Sequence, residues 1–207
     1  MMQFMNDFLA SLGPMTLFIF ICSITPGPNN TILAASGLNF GLRRTLPVLF
    51  GINLGFALML LLSGLGLGAA FTRFPLLHTL LKYVSAAYLL FLAWKIAKSE
   101  PPSADNADAA QNRPLTFLQG ALFQWVNPKG WVMVMGLVSA YVAMGEGFWG
   151  SLGLAALISV VVGIPCIFVW AAFGSALRRW LHKPNIIRAF NWTMALLLVA
   201  SIILSLL

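Results

Sequence analysis

Thr25-Pro26-Gly27-Pro28-Asn29-Asn30 interrupts a long apolar stretch near its middle, and Asn127-Pro128-Lys129-Gly130 does the same to another. Proline removes a backbone N–H, and its ring clashes with the carbonyl four residues back. Each stretch therefore reads as two half-helices joined by a break. In lipid such a break persists only where the freed backbone is buried in protein or lines a cavity. Interrupted spans at corresponding places in the two halves of a chain point to a transporter's central binding site.

The correspondence is arithmetic. Pro14 and Pro114 each open an apolar stretch, Pro28 and Pro128 each break it, and both pairs are 100 residues apart. Further along the offset is 106, pairing Gly41 with Gly147, Gly68 with Gly174, Arg73 with Arg179 and Lys82 with Arg188. An insertion of six residues reconciles the two offsets. The pattern predicts a duplicated three-helix unit, with one repeat over about 9–98 and the other over about 114–207.

Composition places the chain in a membrane. It has 207 residues, 60% hydrophobic and only 8% charged, with mean hydropathy +0.90; soluble domains carry about 25% charged residues. A transmembrane helix needs about 20 apolar residues. Six stretches qualify: Pro14–Leu38, Thr45–Phe71, Leu76–Ile96, Leu115–Tyr141, Trp149–Leu177 and Ile186–Leu207. The expected fold is an all-α integral membrane protein: a single transporter domain of six transmembrane helices in two inverted three-helix repeats, with helices 1 and 4 broken at the proline motifs. The polar stretch Ser99–Arg113 reads as a linker between the halves. No segment has the Gly-rich loop of an ATPase, so transport would run on gradients or exchange.

The net charge of +7 is not a nucleic-acid signal, because its distribution follows the loops. Six helices put Arg43, Arg44, Lys98, Arg113, Arg178, Arg179 and Lys183 on one side, with Lys95 and Arg188 at its edge. Arg73 and Lys82 fall on the other. The positive-inside rule makes the richer side cytoplasmic and both termini periplasmic. Met1–Asp7 carries no basic residue, so no cleaved signal peptide is expected.

After each break a half-helix begins near the bilayer midplane with unpaired N–H groups and a partial positive charge. Pro28 frees the carbonyl of Ile24, Pro26 that of Cys22, and Pro128 that of Gln124. N–H groups for a carboxylate and carbonyls for an ammonium suit a zwitterion. Asn29, Asn30 and Asn127 add neutral donors and acceptors. The candidate substrate-binding residues are thus Thr25, Pro26, Gly27, Pro28, Asn29, Asn30, Gln124, Asn127, Pro128 and Lys129, with Asn53 on the second helix. Asn53 lies between Gly51 and Gly55, a spacing that also serves close helix packing.

Lys129 stands out because a lysine deep in a span costs a few kcal/mol. It either snorkels to the interface along its own stem or faces the cavity as a carboxylate-binding or gating cation. All five acids (Asp7, Glu100, Asp105, Asp108, Glu146) fall outside the apolar stretches, and His78 and His182 flank helix ends. A buried carboxylate relay is thereby excluded, and a metal site lacks clustered ligands; no cofactor is expected. Gln119, Tyr88, Asn191 and Trp192 are secondary candidates for cavity lining, interhelical hydrogen bonds or interface anchors, and Gly163 with Pro165 for a hinge.

Several of these strings resemble the LysE/RhtB family of amino-acid exporters: Ile24-Thr25-Pro26-Gly27-Pro28-Asn29-Asn30; Gly41 with the basic pair after it; the Gly51–Gly55 helix; Ala86-Ala87-Tyr88-Leu89-Leu90 ahead of Ala93-Trp94-Lys95-Ile96; and Phe123-Gln124-Trp125-Val126-Asn127-Pro128-Lys129. Ser85 stands where that family usually has glycine. The resemblance implies a multi-pass protein of the bacterial inner membrane, not an enzyme, that moves small amino acids or their derivatives outward. Pro28-Asn29-Asn30 and Leu92-Ala93-Trp94-Lys95-Ile96-Ala97 look most like its cysteine/O-acetylserine exporters. The implied partners are an amino-acid substrate and the lipid bilayer; a homodimer is compatible with it. The rivals are a membrane thiol–disulfide carrier and a metal-ion exporter of related fold. The first would use Cys22 and Cys166, but the repeat partner of Cys22 is Leu122, not a cysteine.

The charge distribution generates a test. A cysteine label at Ala104 should be reachable only from the cytoplasm and one at Gly145 only from the periplasm. Labelling of Ala104 from outside intact cells would reverse the orientation.

Overall fold

Proline is the first residue of four helices, where its missing N–H would be unpaired in any case and its fixed φ suits the first turn. The computed structural model describes residues 2–67, 75–99, 113–143, 145–180 and 184–206. Side chains at 2–10, 67, 75, 77–78, 81–82, 146, 179 and 204–206 also lie outside the description. Among the described residues the regular structure is helical: α1 (Met2–Ile24), α2 (Pro28–Phe40), α3 (Leu42–Leu62), α4 (Pro75–Ala97), α5 (Phe117–Phe123), α6 (Pro128–Tyr141), α7 (Phe148–Trp180) and α8 (Pro184–Leu206). A π turn, Ser63–Leu67, follows α3, and a 3-10 turn, Gln124–Val126, joins α5 to α6.

Both breaks fall at the proline strings. The axes of Ser11–Ile24 and Pro28–Phe40 differ by 50°. The second predicted broken span is divided into α5, the 3-10 turn and α6. Among the described residues three helices, within Leu42–Gly66, Phe148–Arg178 and Pro184–Ile203, are long and apolar enough to cross a membrane, or four spans if the bent α1–α2 pair counts as one. The fourth predicted stretch does not qualify, because neither α5 nor α6 alone has the length. The third contributes a shorter apolar helix, Tyr83–Ala97. Residues 100–112 of the expected linker, Arg73, and the side chains of Lys82, Arg179, Lys183, His78, His182 and all five acids lie outside the described residues.

Two apolar cores flank the breaks. Met15 and Ile19 of α1, Phe56, Met59 and Leu60 of α3, Val134 and Leu137 of α6 and Leu152 of α7 form one. Ile32 of α2, Leu89 and Leu92 of α4, Phe123 of α5 and Leu198 and Ile202 of α8 form the other. The chain passes from the first core to the second at Thr25–Gly27, and back at Gln124–Asn127. Apolar side chains such as Leu17, Leu118, Val132, Trp149, Val161 and Leu196 point outward, as lipid-facing residues do.

Backbones approach closely at a few glycines. A side chain on Gly51 would strike the carbonyl of Phe117, and one at Gly55 would come within 2.6 Å of Ala121 Cα. The Gly51–Gly55 spacing thus serves close packing of α3 on α5, the small-residue contact of membrane helices. Gly37 and Gly174 play the same part between α2 and α7, each against the other helix's backbone. Gly41 turns α2 into α3 at φ 80°, a conformation that glycine adopts without a Cβ penalty.

Overpacking such a contact costs about 1–3 kcal/mol, or roughly 2–4 °C in Tm per kcal/mol for a chain of this size. Gly51→Leu and Gly174→Leu should therefore lower Tm in detergent. Gly153→Ala, with nothing within 4 Å of the added carbon, should not. Equal Tm values for the three variants would contradict these contacts.

Candidate functional site

Each broken helix sends the residue after its proline into the other break. Lys129, the second residue of α6, extends its stem past Gly27. Its Nζ donates to Thr25 O at 2.9 Å, Thr25 Oγ1 at 2.8 Å and Pro26 O at 3.2 Å. An ammonium has three N–H donors, and all three have acceptors here. The charge sits at the carboxyl end of α1, where the helix dipole favours a cation. Gly27 makes the crossing possible: a Cβ there would lie 2.8 Å from Lys129 Cδ. Lys129 is half-buried and bound to the break, so it does not snorkel along its own helix.

Asn29, the second residue of α2, makes the reciprocal crossing. Its Nδ2 donates to Gln124 Oε1 at 3.1 Å, and its Oδ1 accepts from Gln124 Nε2 at 3.0 Å and from Asn127 Nδ2 at 3.0 Å. Gln124 is 0% exposed and Asn127 1% exposed, so this amide cluster is shielded from competing water and is correspondingly strong.

The carbonyls that the prolines release are mostly occupied, which corrects the expectation that Ile24 and Gln124 keep theirs for an ammonium. Ile24 O accepts from Trp170 Nε1 at 3.0 Å, Gln124 O from Asn127 N at 3.2 Å, and Cys22 O from Thr25 Oγ1 at 3.3 Å. Asn30 Nδ2 caps Ser23 O and Thr25 O, both at 2.8 Å. Buried carbonyls take whatever donors the fold supplies.

A cavity of about 50 Å³ lies among α1, α2, α3, α6 and α7, with room for a few water-sized groups. Of the candidate residues Gly27, Asn29, Asn30, Asn53, Asn127 and Lys129 line it. Thr25 and Pro26 hold Lys129, Gln124 buttresses Asn29, and Pro28 and Pro128 begin the half-helices. Ser159 of α7 also lines the cavity and was not among the sequence candidates, although it lies 106 residues after Asn53, the same offset that pairs the repeats. The two meet: Asn53 Nδ2 donates to Ser159 O at 3.4 Å.

The secondary candidates have other roles. Gln119 completes a capping box with Thr116 at the start of α5. Asn191 pairs with Asn39, donating at 3.1 Å and accepting at 2.9 Å, and donates to Ser99 O at 2.7 Å, tying α8 to α2 and the end of α4. Tyr88 packs on Phe123 and Phe91, and Trp192 is exposed. Cys22 lines the cavity, Cys166 is buried, and both are free thiols. Among the described residues no three His, Cys, Asp or Glu side chains come together as a metal site would require.

The profile of the LysE type translocator family matches residues 20–202, a range that includes both breaks. The chain belongs to this family. It is 32% identical over 186 residues to a cysteine/O-acetylserine efflux protein of Escherichia coli, covering 88% of this chain and 90% of that one. A cysteine/O-acetylserine efflux protein of Shigella flexneri matches equally. An uncharacterized membrane protein of Vibrio cholerae is 26% identical over 172 residues, 83% of this chain and 84% of the relative. No solved structure matches. Family and apolar helices together make the chain a multi-pass membrane protein of the translocator class.

Displacing Nζ from an acceptor forfeits a charged hydrogen bond of about 1.5–3 kcal/mol, on the order of tenfold or more in an equilibrium. Gly27→Ala should force the lysine stem aside and lower transport per inserted molecule by roughly that factor. Unchanged transport by Gly27→Ala would show that the crossing of Lys129 is dispensable.

Proposed function

We propose that this translocator exports small neutral amino acids of the cysteine/O-acetylserine type across the bacterial inner membrane, by alternating access around the two breaks. The supporting observation is the reciprocal crossing of Lys129 and Asn29. One residue past each matched proline leaves its own half of the chain and holds the break of the other. A site built this way lies on the seam between two moving halves, where a translocator must bind its cargo.

In this reading the chain has six spans in two inverted repeats, α1–α2 and α5–α6 being the broken first helix of each, and both termini are periplasmic. The offsets of 100 and 106 and the contact of Asn53 with Ser159 support it.

The mechanism follows from what Lys129 holds. Its ammonium rests on two carbonyls and a hydroxyl, neutral acceptors weaker than a carboxylate. A substrate carboxylate entering the cavity exchanges for them and draws Lys129 off the end of α1. The link between the two broken helices loosens, and the halves can rock. The substrate thereby supplies the differential binding that any such shift requires. A substrate with a second positive charge would face the lysine without a buried partner, which disfavours arginine and lysine. The family assignment and the named relatives support the substrate class; the thiol-carrier and metal-exporter readings have no comparable support.

The test is efflux from loaded proteoliposomes with cysteine, O-acetylserine, threonine, homoserine, leucine and arginine. Export of cysteine or O-acetylserine, with arginine at background, is expected. Robust arginine export without cysteine, O-acetylserine or threonine export would overturn the proposal.

A further inference from the structure

Three residues that line the cavity carry amide oxygens without a partner, Oδ1 of Asn30, of Asn53 and of Asn127, and the hydroxyl Oγ of Ser159 is a fourth unpaired atom. All four residues line the one central cavity, and each is more than nine-tenths buried, at 3%, 5%, 1% and 3% exposure in that order. Buried polar atoms are nearly always paired, so each of these needs an account.

The hydrogen-bond network fixes which end of each amide is free. Asn30 and Asn53 give their nitrogens to backbone carbonyls, which can only accept. Gln124 gives its nitrogen to Gly120 O at 3.3 Å. That orients Asn29 and, through Asn29 Oδ1, directs the nitrogen of Asn127. The three free ends are therefore oxygens, acceptors without a donor. Gly163 leaves room for the Asn53 amide, since a Cβ there would lie 2.5 Å from its Nδ2.

We propose that these amide oxygens, with the Ser159 hydroxyl, form the subsite for the substrate's α-ammonium group, opposite in chemistry to the carboxylate-binding Lys129. The inference rests on the amino-acid export reading and deepens it. A primary ammonium brings three N–H donors to a wall with three unpaired amide oxygens. Of the backbone carbonyls at the breaks, Ile24 O is held by Trp170, Ser23 O and Thr25 O by Asn30, and Gln124 O by the backbone N–H of Asn127. Neutral acceptors also suit the nearby lysine: an acidic residue here would pair with Lys129 and compete with the substrate carboxylate. Asn53 and Ser159, which cap no helix break, are the specificity-determining pair, and neither contacts Lys129 through a hydrogen bond in the structure.

The experiment measures competition against export of labelled L-cysteine from proteoliposomes by unlabelled L-cysteine, by its α-hydroxy analogue 2-hydroxy-3-mercaptopropanoate, and by L-cysteine methyl ester. The wild-type protein, Asn53→Ala and Ser159→Ala are compared at equal inserted protein. Preference for the amino over the hydroxy compound should fall about tenfold or more in Asn53→Ala. It should fall by a smaller factor in Ser159→Ala, while preference for the free carboxylate over the ester persists in both. If Asn53→Ala does not insert, the fall in Ser159→Ala alone decides. An unchanged amino-to-hydroxy preference in the inserted variants overturns the subsite while leaving the export reading intact. So does a wild-type requirement for sodium that Asn53→Ala shifts with that preference unchanged, since the oxygens would then hold a metal cation. Export of neither L-cysteine nor O-acetylserine by the wild-type protein overturns the export reading and this inference with it.

Discussion

A positive charge held at the carboxyl end of a half-helix organises the centre of this protein. The prolines at 26 and 28 strip donors from the end of α1, and a helix end buried without partners is costly. Lys129, from the other half of the chain, supplies its three N–H donors there. The lysine and the break suit each other: the ammonium would be expensive in an apolar setting, and it adds donors to the carbonyls of Thr25 and Pro26. Gly27 leaves room for the arrangement, because a Cβ there would lie 2.8 Å from Lys129 Cδ and the lysine stem would have to shift.

The surrounding structure is arranged to keep that junction exact in position and still able to move. Amide groups, not ion pairs, hold the opposite break: Asn29, Gln124 and Asn127 exchange hydrogen bonds in a nearly dry setting. On either side lie two apolar cores, and a third, with Leu33 of α2, Val48, Leu49 and Ile52 of α3 and Ile167 and Ala171 of α7, joins them. Close glycine contacts fix α3 on α5 and α2 on α7. Hinge motion at element ends with rigid packing elsewhere is the usual economy of such transitions.

Both breaks, their spacing, and the anomaly of Lys129 were legible in the chain because proline and buried charge have strong local consequences. What the released carbonyls would bind was not. Ile24 O is met by the indole of Trp170, 146 residues away, and no local rule assigns such a partner. Asn29 was legible as a residue at a half-helix start, but its pairing with Gln124 depends on how the two breaks are set against each other. Ser159 was missed although the 106-residue offset from Asn53 pointed to it, because serine is common in helices and carries no cost that would make it conspicuous. Gln119 and Asn191 were legible as polar residues in apolar surroundings, yet one caps a helix and the other ties α8 to α2. A polar residue in an apolar stretch signals a hydrogen bond, and only geometry says whether its partner is protein or cargo. Composition predicts six spans, whereas among the described residues the helices with the required length and apolarity number three, or four with the bent pair; the second break leaves α5 and α6 individually short.

The central claim is that Lys129 leaves the break to take the substrate, and export by Lys129→Ala tests it most directly. The measurement is initial efflux of L-cysteine from proteoliposomes, normalised to correctly inserted protein, for wild type, Lys129→Ala and Lys129→Arg. The account predicts no export above background for Lys129→Ala and reduced export for Lys129→Arg, which keeps the charge but not the compact three-donor head. Wild-type export by Lys129→Ala at equal insertion would contradict it.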